Sequence, residues 1–414
     1  MAFSGKIKRP VVDLLYSFTA YALPTFALQF LILPFIAGQL TAEKNGLFLA
    51  LFNAVRLCVS LFIIPLSNIR LLKKKECLAE PSGEKGFNFL FLLVTALSSL
   101  IVMVLGLFYY GWIFDFSAML RLIAVLLLIA AHDYFSIAFR INLTYRFILI
   151  DNVLIVLGYL LGIGLMWKLG HWELIFICGY AFGLAYTMFK SNLWRRGVKA
   201  DVNKETVSKY CQLSVSSGLN NATTYCDKML IYPLIGGYSV SVYNAAAAVS
   251  KLMSLISVPL RNVFLSYIVD RDAIFLPGEK RKKLLGIVLG GTAFLYGGFY
   301  LASLLLCRLL YPQYFAAAIG YIPIILLAIL FETYAGLLKV YLLRFENTVL
   351  QVVTSCVKIV LYLFGVLMLN VVFDCGLMGF CLSILLADSV HFLIVLFFFA
   401  KNVKNKREDA KHVS

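Results

Sequence analysis

Residues 223–262 read TTYCDKMLIYPLIGGYSVSVYNAAAAVSKLMSLISVPLRN. Two apolar runs meet at Gly236-Gly237, yet Asp227 and Lys228 sit inside the first run and Lys251 inside the second. A charge at the centre of a bilayer costs about 2.5–3.5 kcal/mol even on insertion scales. A chain that keeps such charges has a use for them, and the flanking sequence indicates its kind.

The chain has 414 residues, 62% of them apolar and 14% charged, with mean hydropathy +0.89. Soluble domains carry about 45–50% apolar and about 25% charged residues. The fold class expected is therefore an all-α polytopic membrane protein. A spanning helix needs about 20 apolar residues. Twelve such segments are read at approximately 11–37, 46–68, 87–110, 117–139, 147–168, 172–192, 207–235, 239–266, 284–309, 315–341, 347–371 and 375–400. The N-terminal run is too long for a signal-peptide core and reads as a retained first span.

The net charge of +16 could suggest nucleic acid, but its distribution points to topology instead. With both termini in the cytoplasm, Lys44, Arg121, Lys168 and Arg308 lie outside, and Arg56, Lys228, Lys251 and Lys358 lie within spans. Every other Lys and Arg of the 37 is then cytoplasmic, as the positive-inside rule requires. No nucleic-acid partner is expected. The nine cysteines form no CxxC pair and fall mostly in apolar segments, so neither a disulfide framework nor a metal site is expected.

The polar stretch 193–206, LWRRGVKADVNKET, divides the chain into lobes 1–206 and 207–414, each of six spans, the second ending in a short basic tail. A parallel repeat crosses that divide. Residues 54–71 (AVRLCVSLFIIPLSNIRL) and 248–265 (AVSKLMSLISVPLRNVFL) match without a gap, and eight of the 18 positions are identical. These are the second spans of the two lobes, and transporter folds often carry such duplications.

Residues three and four apart share a helix face. Span seven aligns Tyr210, Ser214, Ser217, Asn221, Thr224 and Lys228. Span eight aligns Asn244, Ala248, Lys251 and Ser254; span two Asn53, Arg56, Ser60 and Ser67; span eleven Gln351, Ser355, Lys358 and Tyr362. Span one adds Ser17, Tyr21, Thr25 and Gln29. Lipid cannot satisfy polar faces, so they turn toward one another or toward water. The expectation is two six-helix lobes around a wet central cavity.

Lys228 lies roughly 10 Å from its helix end and could snorkel; Arg56, Lys251 and Lys358 lie roughly 16 Å from either end and could not do so comfortably. Structural ion pairing is the competing reading for these cations, with Asp227, Glu332, Asp388 and Asp133 as available acids in structural or coupling roles. Asp227 is turned about 100° from Lys228 on its helix and reads as a tie to a neighbouring span. His132 and His391 read as packing or hydrogen-bonding residues rather than ligands. Lys and Arg bind phosphate, and Ser, Asn, Gln and Tyr suit sugar hydroxyls. Arg56, Lys228, Lys251 and Lys358, with Asn53, Ser60, Ser217, Asn221, Thr224, Asn244, Gln351 and Tyr362, form the candidate substrate-binding set for a phosphorylated glycan. Buried Pro24, Pro65, Pro259 and Pro323 are candidate bends.

Asp227-Lys228, the Gly-containing turn and Val242-Tyr243-Asn244-Ala245-Ala246 resemble the start of the second half of polysaccharide flippases. These belong to the multidrug/oligosaccharidyl-lipid/polysaccharide exporter superfamily. Asn45-Gly46-Leu47-Phe48 is the matching turn into span two. The resemblance implies translocation of undecaprenyl-diphosphate-linked oligosaccharide across the bacterial plasma membrane by alternating access, for O-antigen or capsule assembly. It implies a monomer among membrane lipids, with a polysaccharide polymerase as a partner. No cofactor is expected; a coupling ion, Na+ or H+, stays open. A lipid II-type flippase and a cation-coupled multidrug exporter are the alternatives. A membrane polymerase or ligase is disfavoured because the outer loops are short and gather no His, Asp or Glu cluster. Gly286 to Gly290-Gly291 lacks the Lys-Ser/Thr of a P-loop.

Overall fold

The computed structural model describes residues 19–20, 22–74, 81–112, 115–198, 203–248, 295–345 and 348–413. They form helices joined by short turns: α1 (Ala22–Gln39), α2 (Ala42–Leu72), α3 (Pro81–Tyr109), α4 (Phe116–Phe135), α5 (Tyr145–Leu169) and α6 (Glu173–Lys190). Then come α7 (Lys204–Ile235), α8 (Gly237–Ala246), α9 (Leu295–Leu310), α10 (Ile322–Phe345), α11 (Thr348–Val366) and α12 (Gly376–Val413). Among the described residues eight helices are long and apolar enough to cross a membrane. The chain is an all-helical, multi-pass membrane protein. Lys251, Pro259 and all but the first residue of the repeat segment 248–265 lie outside the described residues.

Local chemistry sets the helix ends. The Thr41 hydroxyl accepts from Lys44 N at 3.4 Å to open α2, and Asp115 accepts from Ser117 N and Ala118 N to open α4. The expected Gly236-Gly237 turn is present: Gly236 takes φ 107°, open to glycine and strained for any other residue. In α1 and α2 a π-helical turn (Ala27–Ile32 and Val59–Ile63) ends two residues before Pro34 and Pro65. A proline cannot donate into the preceding turn, and the wide turn absorbs that loss. Pro323 corrects its sequence reading. A one-turn helix, Phe315–Ala318, and a turn at Gly320 precede α10, so Pro323 stands in the helix's first turn rather than bending a span. The final apolar span, Gly376–Lys401, matches the expected 375–400, and its helix α12 runs on to Val413.

The chain divides into two compact units, Met1–Pro233 and Leu234–Ser414. Most of α7 belongs to the first. Tyr210 donates its hydroxyl to Phe62 O at 3.2 Å, Tyr109 donates to Met229 O at 2.7 Å, and Gly218 lies against Leu61.

In the first unit α5 and α6 pack backbone to backbone through Gly158, Gly162, Gly179 and Gly183, a Gly-x3-Gly pair on each helix. A Cβ on Gly158 would stand 2.6 Å from Cys178 O, and one on Gly162 would collide with Ile175 Cα. Small residues allow this approach, which drives helix association where lipid removes the hydrophobic incentive. A latch closes the other side. Arg70 (1% exposed) and Tyr134 both donate to Asn88 Oδ1, at 3.4 and 2.9 Å, and Asn88 Nδ2 faces Leu193 O and Gly197 O. The Arg70 guanidinium also lies over the Tyr134 ring, 5.0 Å from its centroid. One buried amide thus ties α2, α3, α4 and the segment after α6. In the second unit α10 and α11 each pack on α12, and Phe392 meets the rings of Phe331 and Tyr334.

The glycine seam gives a direct test. Gly162→Leu forces α5 and α6 apart and is expected to lower the yield and melting temperature of the purified full chain sharply. Gly164→Leu, two residues on with nothing within 4 Å of its Cβ position, is expected to behave like wild type in the same thermal scan.

Candidate functional site

The α5–α6 seam places polar side chains of five helices, α1 among them through Thr25, around a cavity of about 290 Å³ inside the first unit. Its wall includes Arg56 of α2, His132 and Asp133 of α4, Asp151 and Tyr159 of α5, and Tyr180 of α6. The volume is at the low end of ligand pockets, which run about 300–1,000 Å³. It suits ions, water or one phosphate-sized group rather than an oligosaccharide.

A carboxylate–imidazole–carboxylate chain crosses the cavity wall. Nδ1 of His132 lies 3.1 Å from Asp133 Oδ1, and Nε2 lies 2.7 Å from Asp151 Oδ2. Thr187 donates its hydroxyl to Asp151 Oδ1 at 3.0 Å. Asp151 is 1% exposed, whereas the Asp133 side chain is 23% exposed. Beside this chain, Arg56 donates to the Tyr180 hydroxyl at 3.4 Å, and the Tyr180 ring packs edge-on against Tyr159, centroids 6.1 Å apart. Ser67 holds the α4 backbone by donating to Asp133 O.

The sequence-derived residues separate into groups. Arg56 and Asp133 meet at this cavity. Asn53 is buried but spends its amide on Leu49 O of its own helix, and Ser60 is buried in the π-turn. Asn221 bonds back to Ser217 O, and Thr224 is exposed. Asp227 and Lys228 are both buried in the first unit, so Lys228 does not extend along the protein surface. Asn244 and Tyr362 are both buried in the second unit. The Gln351 side chain, like Lys251, lies outside what is described.

Lys358 does not stand as an open cation. Its Nζ lies 2.8 Å from Glu332 Oε2 and 2.7 Å from Asp388 Oδ1, and Glu332 is also 3.3 Å from His391 Nδ1. The ion-pairing reading fits this residue: one ammonium ties α10, α11 and α12. Lys339, two turns along α10 from Glu332, donates to Ser355 of α11 at 3.2 Å. Both halves therefore carry a histidine and two acids on their last three helices, α4–α6 and α10–α12.

His132, expected as a packing or hydrogen-bonding residue, does hydrogen-bond, to Asp133 and Asp151. Tyr159, Tyr180 and Thr187 belong to the site without a sequence signal of their own. For Asp151, a His-Asp dipeptide inside one apolar span, with a lone Asp in the next, was the available signal.

No protein-family model matches the chain, and no curated protein matches it. Solved structures do. The lipid II flippase MurJ in an inward closed conformation aligns with TM-score 0.69 and 15% identity, over 93% of this chain and 87% of that one. A multidrug resistance MATE family transporter of the MOP superfamily, inward-facing, aligns with TM-score 0.62 and 11% identity, over 95% and 99%. A MOP superfamily transporter from Pyrococcus furiosus, described as having a binding pocket of reversed polarity, aligns with TM-score 0.62 and 13% identity, over 95% of each chain. At these identities what is shared is the fold. These neighbours are transporters and flippases rather than enzymes.

The second unit's ion network makes a stability prediction. Lys358→Ala leaves Glu332 and Asp388 without their shared counter-charge. Breaking a buried pair this way costs about 3–5 kcal/mol, and the lower end applies because the Glu332 side chain is 39% exposed. Equilibrium unfolding of the full chain in mixed detergent should report the loss. Lys358→Ala combined with Asp388→Asn should be more stable than Lys358→Ala alone. A Lys358→Ala protein that unfolds like wild type would remove the network's structural role.

Proposed function

We infer that this protein moves a lipid-linked oligosaccharide carried on undecaprenyl diphosphate from the cytoplasmic to the outer leaflet of a bacterial plasma membrane by alternating access. The observation that supports this most is the fold shared with a lipid II flippase over 93% of the chain, at TM-score 0.69. Two features of the residues agree with it. Arg56 reaches a cavity at mid-span depth with phenol hydroxyls beside it, a setting suited to a phosphate oxygen. The span-seven to span-eight pattern resembles polysaccharide flippases, which favours an O-antigen or capsule precursor over lipid II. Both termini face the cytoplasm in this reading, one copy suffices, and a polysaccharide polymerase consumes the product. Lys228 and Lys251 remain candidates for the diphosphate, while Lys358 serves the second unit's ion network.

A second reading, a cation-coupled multidrug exporter, draws on the MATE neighbours and on the acids Glu332 and Asp388. Deleting the gene and complementing it with single variants separates the two. Arg56→Ala is expected to leave protein level unchanged, lower surface polysaccharide at least tenfold and leave lipid-linked precursor on the inner leaflet. Normal surface polysaccharide in the deletion strain, with raised drug sensitivity, would favour the exporter.

A further inference from the structure

We propose that the His132 cluster of the first unit is a proton-binding site, loaded from the cavity through Asp133 and emptied during transport. The proposal rests on the transporter reading above and names the ion of that cycle.

Hydrogen-bond counting carries it. Both ring nitrogens of His132 face carboxylate oxygens, at 3.1 Å on Asp133 and 2.7 Å on Asp151. An ionised carboxylate only accepts, and a neutral imidazole has one donor. Two such bonds need two donors. The trio therefore holds one proton more than a neutral ring beside two carboxylates, and the ring, the strongest base of the three, carries it. Asp151 cannot turn away, because Thr187 holds its other oxygen at 3.0 Å.

The surroundings supply a route and a reason to let go. Asp133 is partly open to the cavity and Asp151 is sealed, so the groups run from water to core in the order Asp133, His132, Asp151. The helices packed around the ring place charged and titratable groups at the same cavity. From α2 comes Arg56; from α5, Asp151 and Tyr159; from α6, Tyr180, whose ring stands 5.5 Å away edge-on. Tyr225 of α7 acts on Arg56; Tyr186 acts on Asp151 and itself feels Arg146; and Arg140 lines the cavity's loop end. Arg56 donates to Tyr180, while the His132 ring lies within 2.7 Å of Asp151. Without the proton a buried carboxylate loses the ring's positive charge, which the hydrocarbon depth penalises. Opening the cavity to water lifts the penalty. Proton affinity and the conformation of the first unit are thereby linked, and each must shift the other. No group of three or more His, Cys, Asp or Glu side chains among the described residues is arranged to hold a metal ion. The second unit differs: Lys358 gives its two acids a permanent cation.

Two measurements on the full chain test this. The first uses no substrate. The protein has four histidines, so ¹⁵N-histidine spectra compared with His132→Gln identify the ring. At about pH 8 the wild-type ring should keep both N–H protons, and in Asp151→Asn it should keep one. A wild-type ring with one N–H overturns the proposal. The second measurement follows internal pH with a trapped dye in vesicles as undecaprenyl-diphosphate oligosaccharide is moved. Wild type should show a proton signal that scales with transport, and His132→Gln should lose at least nine-tenths of that signal per oligosaccharide moved. Transport without proton movement in wild type overturns the proposal and leaves the flippase reading intact. If wild type moves no oligosaccharide, the flippase reading fails, and the histidine spectra alone decide the proton site.

Discussion

Charge inside hydrocarbon must find a partner, and the internal order of each unit follows from that constraint. In the first unit Asp151 takes His132 and Thr187, His132 takes Asp133, and Arg56 takes Tyr180. In the second, Lys358 takes Glu332 and Asp388. Apart from the neighbours His132 and Asp133 on α4, each partner comes from a different helix, so satisfying the charges also fixes which helices adjoin. The glycine seam between α5 and α6 is the steric counterpart. Without Gly158, Gly162, Gly179 and Gly183, Thr187 and Asp151 could not come within 3.0 Å. Packing and electrostatics specify the same arrangement, a consistency expected of a sequence with one native state.

Paired in this way, the two halves acquire different characters. The second unit's acids share a lysine whose charge is built into the chain. The first unit's acids share a histidine, whose charge depends on a proton. The second unit thus holds a fixed ion network on α10–α12, and the first a titratable one on α4–α6, beside a cavity that Arg56 also lines.

Much of this was legible in the sequence. Hydropathy and length announce the helices because lipid permits little else, and Gly236-Gly237 marks its turn because φ 107° suits glycine. Fold-level likeness to known transporters was readable from Asp227-Lys228 and the Val-Tyr-Asn-Ala-Ala motif. Side-chain partners were much less legible. Periodicity tells which residues share a face, but it does not say which helix that face meets. Asn53 and Asn221 lie on polar stripes yet bond their own helix backbones. Lys358, by the same stripe an open cation, is tied by acids 26 and 30 positions away in sequence. The partner of His132 was not legible because Asp151, itself held by Thr187, meets it across helices that only the folded chain brings together. Pro323 looked like a kink because its span was drawn through the turn at Gly320.

The account's central claim is that this fold, with these buried charges, carries a diphosphate-linked glycan across the bilayer. The most direct measurement places a fluorescent undecaprenyl-diphosphate oligosaccharide in vesicles containing the purified full chain. A membrane-impermeant quencher then reports the fraction on each leaflet over time. The account predicts that the protected fraction equilibrates many times faster than in protein-free vesicles, and that Arg56→Ala slows this by an order of magnitude. Leaflet exchange no faster than in empty vesicles, from protein that is folded and correctly inserted, would contradict it.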